Sequence, residues 1–258
     1  MKLNAGVNNA LKVFELNLVR ARGLPLNIRA ALLDFDNTLF YSFESYYVAL
    51  NEALKQLELP ELSREEFIKL YRLSELNVPL NESLPSLLRS RGVYVSSDLS
   101  MEILSLYKAI FAEVDLNLTF TPAANIDALS TLASYLKVAV VSARLSKKGI
   151  LSLLDKYKVS KYIDYVVTAR DAESIKPSEK PLVLAALKLG VEPEACVMIG
   201  DSPRDMQAGK RARMKTIGVA SGVWSADDLL RSGADEVVGL FPESVDVVMK
   251  WLKAGSTK

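Results

Sequence analysis

The sequence predicts an α/β protein: a doubly wound parallel sheet with an all-helical domain inserted after its first strand. Three observations carry that prediction. Short β-rich runs alternate with helical stretches from Leu136 onward. The stretch between the first strand and the second reads almost entirely as helix. Several strands end in carboxylate or hydroxyl side chains, which is where an open α/β sheet gathers its ligand-binding groups.

The elements follow in chain order. Leu3, Val7, Leu11, Phe14 and Leu18 repeat at i, i+3/i+4 spacing, so residues 1–25 are expected to form an amphipathic helix, ended by Gly23 and Pro25. Residues 1–29 carry five basic side chains and one acid. Packing on the domain is the main expectation for this helix, with a dimer arm or surface-binding helix as alternatives. Ile28 to Leu33, interrupted only by Arg29, is the first strand. Helices are expected over Ser45 to Leu57, Arg64 to Leu76, Leu84 to Arg91 and Leu99 to Ala112, punctuated by Pro60, Pro79, Pro85 and Gly92. Strands then fall at Val138–Val141, Ile163–Thr168, Cys196–Ile199, Lys215–Val219 and Glu236–Val238. Helices alternate with them at Lys147–Tyr157, Glu179–Leu189, Pro203–Ala212, Ala226–Arg231 and Pro242–Leu252. Such alternation argues for a parallel sheet covered on both faces. The domain division is thus a core of residues 26–42 and 119–258 and a helical insertion of residues 43–118.

Composition excludes several chemistries. The 258 residues are 50% hydrophobic and 24% charged, a globular balance. A net charge of +1 gives no field that would call for nucleic acid or an anionic membrane. No window reaches the roughly 18 uninterrupted apolar residues of a membrane span, and the first residues do not form a signal peptide. There is no histidine, so Ser-His-Asp, Cys-His and imidazole–metal chemistry are impossible. The one cysteine, Cys196, lies in an apolar strand with no base beside it and reads as a buried thiol. One cysteine forbids an intrachain disulfide and favours a reducing, cytoplasmic compartment.

The most informative segment is Leu32-Leu-Asp-Phe-Asp-Asn-Thr-Leu39. Asp34 and Asp36 stand at i and i+2 where the first strand ends, so both reach one side of the sheet's carboxyl edge. Two carboxylates about 4 Å apart repel by roughly 4 kcal/mol at an effective dielectric near 20. A divalent cation, a lysine or a shared proton must offset that. The other strand ends offer Ser142 after Val138–Val141, Lys176 followed by Pro177, and Gly200-Asp201-Ser202-Pro203-Arg204-Asp205 opening a helix. Alone, a strand-end serine is turn chemistry, a lysine before a turn is a solvated charge, and Asp201 and Asp205 are caps. The spacing of Asp34, Asp36 and Thr38 could also open a calcium loop, but positions six and twelve are Leu39 and Ser45 where glycine and glutamate are required.

In order, Asp-x-Asp-x-Thr, a strand-end Ser, Lys-Pro and Gly-Asp-Ser-x-x-Asp resemble the four motifs of the haloacid dehalogenase superfamily over residues 28–252. The stretch from Lys176 to Ala220 is most similar to its phosphoglycolate phosphatase-like branch. Two departures stand out: Asn37 where many members have glycine, and Arg211-Ala-Arg213-Met214 where a small residue and glycine usually precede the strand. The resemblance implies a Rossmann-like core, a helical cap between motifs one and two, and a Mg²⁺-dependent phosphatase. It implies Asp34 as nucleophile, forming an aspartyl-phosphate, and Asp36 as general acid and base. It further implies Mg²⁺ held by Asp34, the Asp36 carbonyl and Asp201, with Asp205 orienting a metal water. Thr38, Ser142 and Lys176 would bind the phosphoryl group. The expected partner is a small phosphorylated metabolite of the phosphoglycolate kind, acted on by a monomer or homodimer. Asp36 disfavours carbon–halogen and phosphonate cleavage, which need no such proton donor. A phosphomutase of the same fold is the first alternative, and a non-catalytic binding protein the second. Tyr41, Phe43, Tyr46 and Tyr47 are expected as hinge and cap-core aromatics. Arg64, Arg72, Arg89 and Arg91 are candidates for gripping a second anion on the substrate.

Overall fold

The computed structural model describes residues 28–255, so the expected N-terminal helix lies outside the described residues. Six parallel strands form one sheet in the order β3-β2-β1-β4-β5-β6. They are β1 Ala30–Leu33, β2 Lys137–Val141, β3 Tyr165–Val167, β4 Cys196–Gly200, β5 Lys215–Val219 and β6 Glu236–Val238. β1 is central, with Leu33 registered against Val140 on one side and Ile199 on the other. The chain order reverses between β1 and β4. That is the topological switch point, where the loops after the two strands diverge and leave a crevice.

Both faces of the sheet are covered, as the continuous apolar strands require. Ala31, Leu33, Val138, Val140, Val197 and Ile199 face one layer, built from the helices Ala123–Tyr135, Lys147–Lys156 and Glu243–Gly255. Ala30, Leu32, Ala139, Val141, Cys196 and Met198 face the other, against Lys180–Leu189 and Pro203–Arg211. The strict alternation is the period-two signature of a strand buried on both sides. Cys196 is fully buried, and burial pushes its thiol up to about 12, so it is inert packing.

Four helices follow β1 before the chain returns to the sheet: Phe43–Gln56, Arg64–Glu75, Leu80–Ser90 and Ser97–Leu118. They enclose their own core of Leu50, Leu54, Phe67, Leu70, Leu84, Leu88 and Ile103, so the insertion is a separate cap domain. Arg64–Glu75 begins with a reciprocal capping box between Ser63 and Glu66. Ser97–Leu118 continues six residues past the expected end at Ala112 because its last turn is tied to the core, as described below. The helix Ala123–Tyr135 has no counterpart in the sequence reading. Pro122 precedes it without a side-chain cap, its first turn holds no acid and its last no base. Among the described residues no helix is long and apolar enough to cross a membrane.

The two departures in the motif regions have structural solutions. Arg213 takes φ 59°, supplying from a non-glycine the left-handed residue that ends helix Pro203–Arg211. Gly209 lies four residues earlier against β5. A Cβ there would fall 2.4 Å from the Thr216 methyl and 3.2 Å from Met198 Cβ. Gly209→Ala should therefore destabilise the fold by about 1–3 kcal/mol, read as a lowered urea midpoint with unchanged slope.

Candidate active site

β1 and β4 end beside each other, and their next residues are acids. Asp34 N–H still donates to Ile199 O at 2.9 Å, so Asp34 is held in sheet register. Asp201 follows Gly200 one strand over. Lys176 reaches in from the β3–helix connection and is almost fully buried. Its ammonium lies 2.7 Å from Asp34 Oδ1 and 2.6 Å from Asp205 Oδ1, and it donates to Val141 O at 2.9 Å. The Asp205 contact is an ion pair rather than a hydrogen bond, so Asp205 Oδ1 carries no hydrogen bond. Asp205 Oδ2 caps its own helix through the Ser202 N–H and hydroxyl, at 3.1 and 2.7 Å. Gly200 is required here, since a Cβ would sit 2.4 Å from the Asp205 carboxylate. Gly222 closes over Asp201 in the same way: a Cβ there would fall 1.9 Å from its Oδ2.

Asp34, Asp201 and Asp205 each offer an oxygen within 4.8 Å of the others. Three hard carboxylates at this spacing fit a Mg²⁺-like cation. Burial dominates their electrostatics. It raises Asp34 to about 7, opposed by Lys176 and reinforced by Asp205 and Asp36. Burial also pushes Asp201 well above the carboxylate range, with Asp34 and Asp205 adding to it. Burial works against the charge of Lys176, but Asp205 and Asp34 outweigh it and hold the ammonium in place.

Asp36 does not join this cluster through its side chain. It accepts a forked pair from Arg144, Nε at 3.0 Å and Nη2 at 2.7 Å, and a 2.6 Å bond from Ser42 Oγ. The same guanidinium donates to Asp115 at 2.6 and 3.1 Å. Its plane lies against Phe35, Tyr46 and Phe111. The sequence reading sought a counter-charge for this pair of acids; for Asp36 the structure supplies Arg144. Asp115 stands in the last turn of Ser97–Leu118, where the helix dipole disfavours an acid. That misplaced charge was the available sign of a specific partner.

Ser142 Oγ accepts from Arg144 N–H at 3.1 Å, which leaves its proton free for an anionic oxygen. Thr38 is completely buried, and its hydroxyl donates to Asp201 Oδ1 at 3.2 Å, so it orients that carboxylate. Asn37 explains its own departure from glycine. At φ 55° it occupies the left-handed region, which asparagine tolerates. Its Oδ1 accepts from the N–H groups of Ser42 and Phe43 at the start of the cap, and its Nδ2 donates to Tyr71 in the cap at 3.0 Å.

The cap is docked over the site. Arg204, inside the fourth motif, forks onto Glu75 of the cap with Nε–Oε2 3.0 Å and both side chains mostly buried. Arg72 holds Val223 O from the cap side. Between cap and core lies a cavity of about 850 Å³ whose lining includes Asp34, Asp36, Lys176 and Asp201. None of the four arginines expected to grip a second anion lines it. Arg64 pairs with Glu44, Arg72 with Val223 O, and Arg91 with Glu61 O and Glu66. Of the four early aromatics, Tyr46 lines the cavity, while Phe43 and Tyr47 stack on each other and meet Phe67 edge-on in the cap core.

Comparison with known proteins agrees with this architecture. A family model described as haloacid dehalogenase-like hydrolase matches residues 31–219. The chain belongs to that family of hydrolases. It is similar to a phosphoglycolate phosphatase of Aquifex aeolicus, 32% identical over 191 residues, covering 73% of this chain and 83% of that one. A phosphoglycolate phosphatase of Salmonella paratyphi A is 28% identical over 229 residues, 83% of this chain and 90% of the other. Among solved structures, a haloacid dehalogenase-like hydrolase of Streptococcus pneumoniae superposes with a TM-score of 0.72 at 18% identity, covering 86% of this chain and 99% of that one. Within its family the chain is phosphoglycolate phosphatase-like, an enzyme of the phosphatase kind.

The electrostatics give a stability prediction. Asp34 binds its proton more tightly folded than unfolded, so its contribution is complete below pH 4 and is lost as pH rises through about 7. Asp201 shifts in the same direction. In chelator, the protein should melt at a lower temperature at pH 7.5 than at pH 5, measured calorimetrically; a higher melting temperature at pH 7.5 would contradict the assignment.

Proposed function

We propose that the protein is a Mg²⁺-dependent phosphomonoesterase working through an aspartyl-phosphate on Asp34. One observation carries this reading. Asp34 Oδ1 is pinned by Lys176 at 2.7 Å, while the carboxylate borders the cavity within reach of two further acids. A carboxylate so placed is a nucleophile with one oxygen tethered and the other free to attack.

Asp34 and Asp201, with the Asp36 main-chain carbonyl, would hold the cation, and Asp205 would orient one of its waters. When bound, Mg²⁺ supplies positive charge against the phosphoryl oxygens. The chain's own groups do the rest. Lys176 faces the phosphoryl group with its charge held on by Asp34 and Asp205. Ser142 donates its free hydroxyl proton to a phosphoryl oxygen. Asp34 attacks phosphorus as the ester bond breaks, and Asp36 gives a proton to the departing alcohol. In the second step Asp36 takes a proton from water, the water oxygen bonds to phosphorus, and the Asp34–phosphorus bond breaks to release phosphate. Asp36 must loosen from Arg144 to serve both steps, and Asp115 remains to hold Arg144 when it does. Exclusion of bulk water is the work of the docked cap. We place the reaction in the cytoplasm, where Cys196 stays reduced.

Phosphate release from a panel of small phosphomonoesters, beginning with phosphoglycolate, tests the reading. Asp34→Asn should lower turnover by about a thousandfold or more. EDTA should abolish turnover and Mg²⁺ restore it, whereas full activity in EDTA would overturn the metal assignment. An isomerised phosphoester without free phosphate would identify a mutase instead. Asp36→Ala should cost about 10²–10⁴-fold with an alkyl ester, and much less with p-nitrophenyl phosphate, whose leaving group needs no proton.

A further inference from the structure

The cavity is much larger than a two-carbon acid requires, and its walls are of the wrong character for one. Its volume of about 850 Å³ lies within the range that accommodates drug-sized ligands. The cap side presents Tyr46, Leu70, Tyr71, Tyr107, Phe111 and Leu116. The cations near the nucleophile are already committed. Arg144 is divided between Asp36 and Asp115, Arg204 is closed onto Glu75, and Lys176 lies between Asp34 and Asp205. The other two lining cations, Lys108 and Lys148, are solvent-exposed and keep their hydration. A carboxylate one carbon from the ester linkage would therefore be buried with no buried counter-charge free to meet it, only these two hydrated lysines, against Asp36 and an apolar wall. That arrangement is strongly unfavourable.

Two hydroxyls on the cap wall have no hydrogen-bond partner among the described residues. They belong to Tyr46 and Tyr107, whose rings both line the cavity. Burial raises both phenols, so they stay neutral donors. They suit an uncharged group that offers an apolar face and a hydrogen-bond acceptor on its edge.

Building on the phosphatase reading above, we propose that the substrate is the phosphomonoester of a bulky, uncharged alcohol with an apolar face, and not a short phosphorylated acid. The cap selects it by desolvation: apolar area is buried on the cap wall, while a second anion is rejected for want of a partner. Phosphoglycolate, the ester named for the relatives, is then a poor substrate for this chain.

The test compares three esters with alkyl leaving groups: 2-naphthylmethyl phosphate, ethyl phosphate and phosphoglycolate. kcat/KM should be highest for the naphthylmethyl ester and exceed that of phosphoglycolate by about tenfold or more. Calorimetric binding to Asp34→Asn should follow the same order without needing turnover. Equal or better binding and turnover of phosphoglycolate would overturn the proposal and leave the phosphatase reading standing. Background turnover of all three esters, with the binding order kept, would sink the phosphatase reading alone.

Discussion

The site depends on one buried ammonium. Lys176 stands between Asp34 and Asp205, at 2.7 and 2.6 Å, and donates to the end of β2. Without it, Asp34, Asp201 and Asp205 would crowd three carboxylates into a few ångströms of low-dielectric space. A pair about 4 Å apart already repels by roughly 4 kcal/mol at an effective dielectric near 20. The parallel sheet makes that crowding unavoidable, because its switch point brings the ends of β1 and β4 together. Lys176 compensates one side of the cluster and leaves the other for a cation. Glycines 200 and 222 complete the arrangement by giving the acids room that any side chain would take.

The cap is joined to this centre by polar contacts rather than by a shared apolar core. Its own hydrophobic cluster is separate from the two that cover the sheet. The joints are Arg204 to Glu75, Arg72 to Val223, Asn37 to Tyr71 and Arg144 to Asp115. Three of these begin at residues within or next to a catalytic motif. The same loops that position the carboxylates therefore also hold the roof. An interface of specific polar contacts can open and re-form as a unit, which suits a chamber that must admit substrate and release product.

Much of this was legible in the sequence because the relevant signals are local. A strand buried on both faces writes itself as an unbroken apolar run, and Asp34, Ser142 and Asp201 each stand where such a run stops. The cap showed as helices punctuated by proline and glycine. What escaped was non-local or locally silent. Helix Ala123–Tyr135 carries no charge pattern at its ends, so nothing marked its limits. Arg144 carried no local signal, since its partners lie 108 and 29 residues away in the chain. The cap arginines were ambiguous for the converse reason: their charge suggested an anion site, but Arg64 and Arg91 are taken up by neighbours within the cap and Arg72 by a carbonyl of the core. Thr38 fell in the right motif, yet only the register of β1 against β4 turns its hydroxyl toward Asp201.

Arg144 has a consequence for how this protein can change. It is the common counter-charge of Asp36 in the core and Asp115 at the far end of the cap, so neither acid has a cation of its own. Losing Arg144 strands two buried carboxylates, and losing Asp115 leaves the guanidinium held by Asp36 alone. Positions 36, 115 and 144 consequently form one heritable unit, tolerant of joint replacement and intolerant of piecemeal drift. A cap exchanged from a relative to redirect specificity would have to bring its own acid to position 115, or Arg144 would be left to Asp36 alone.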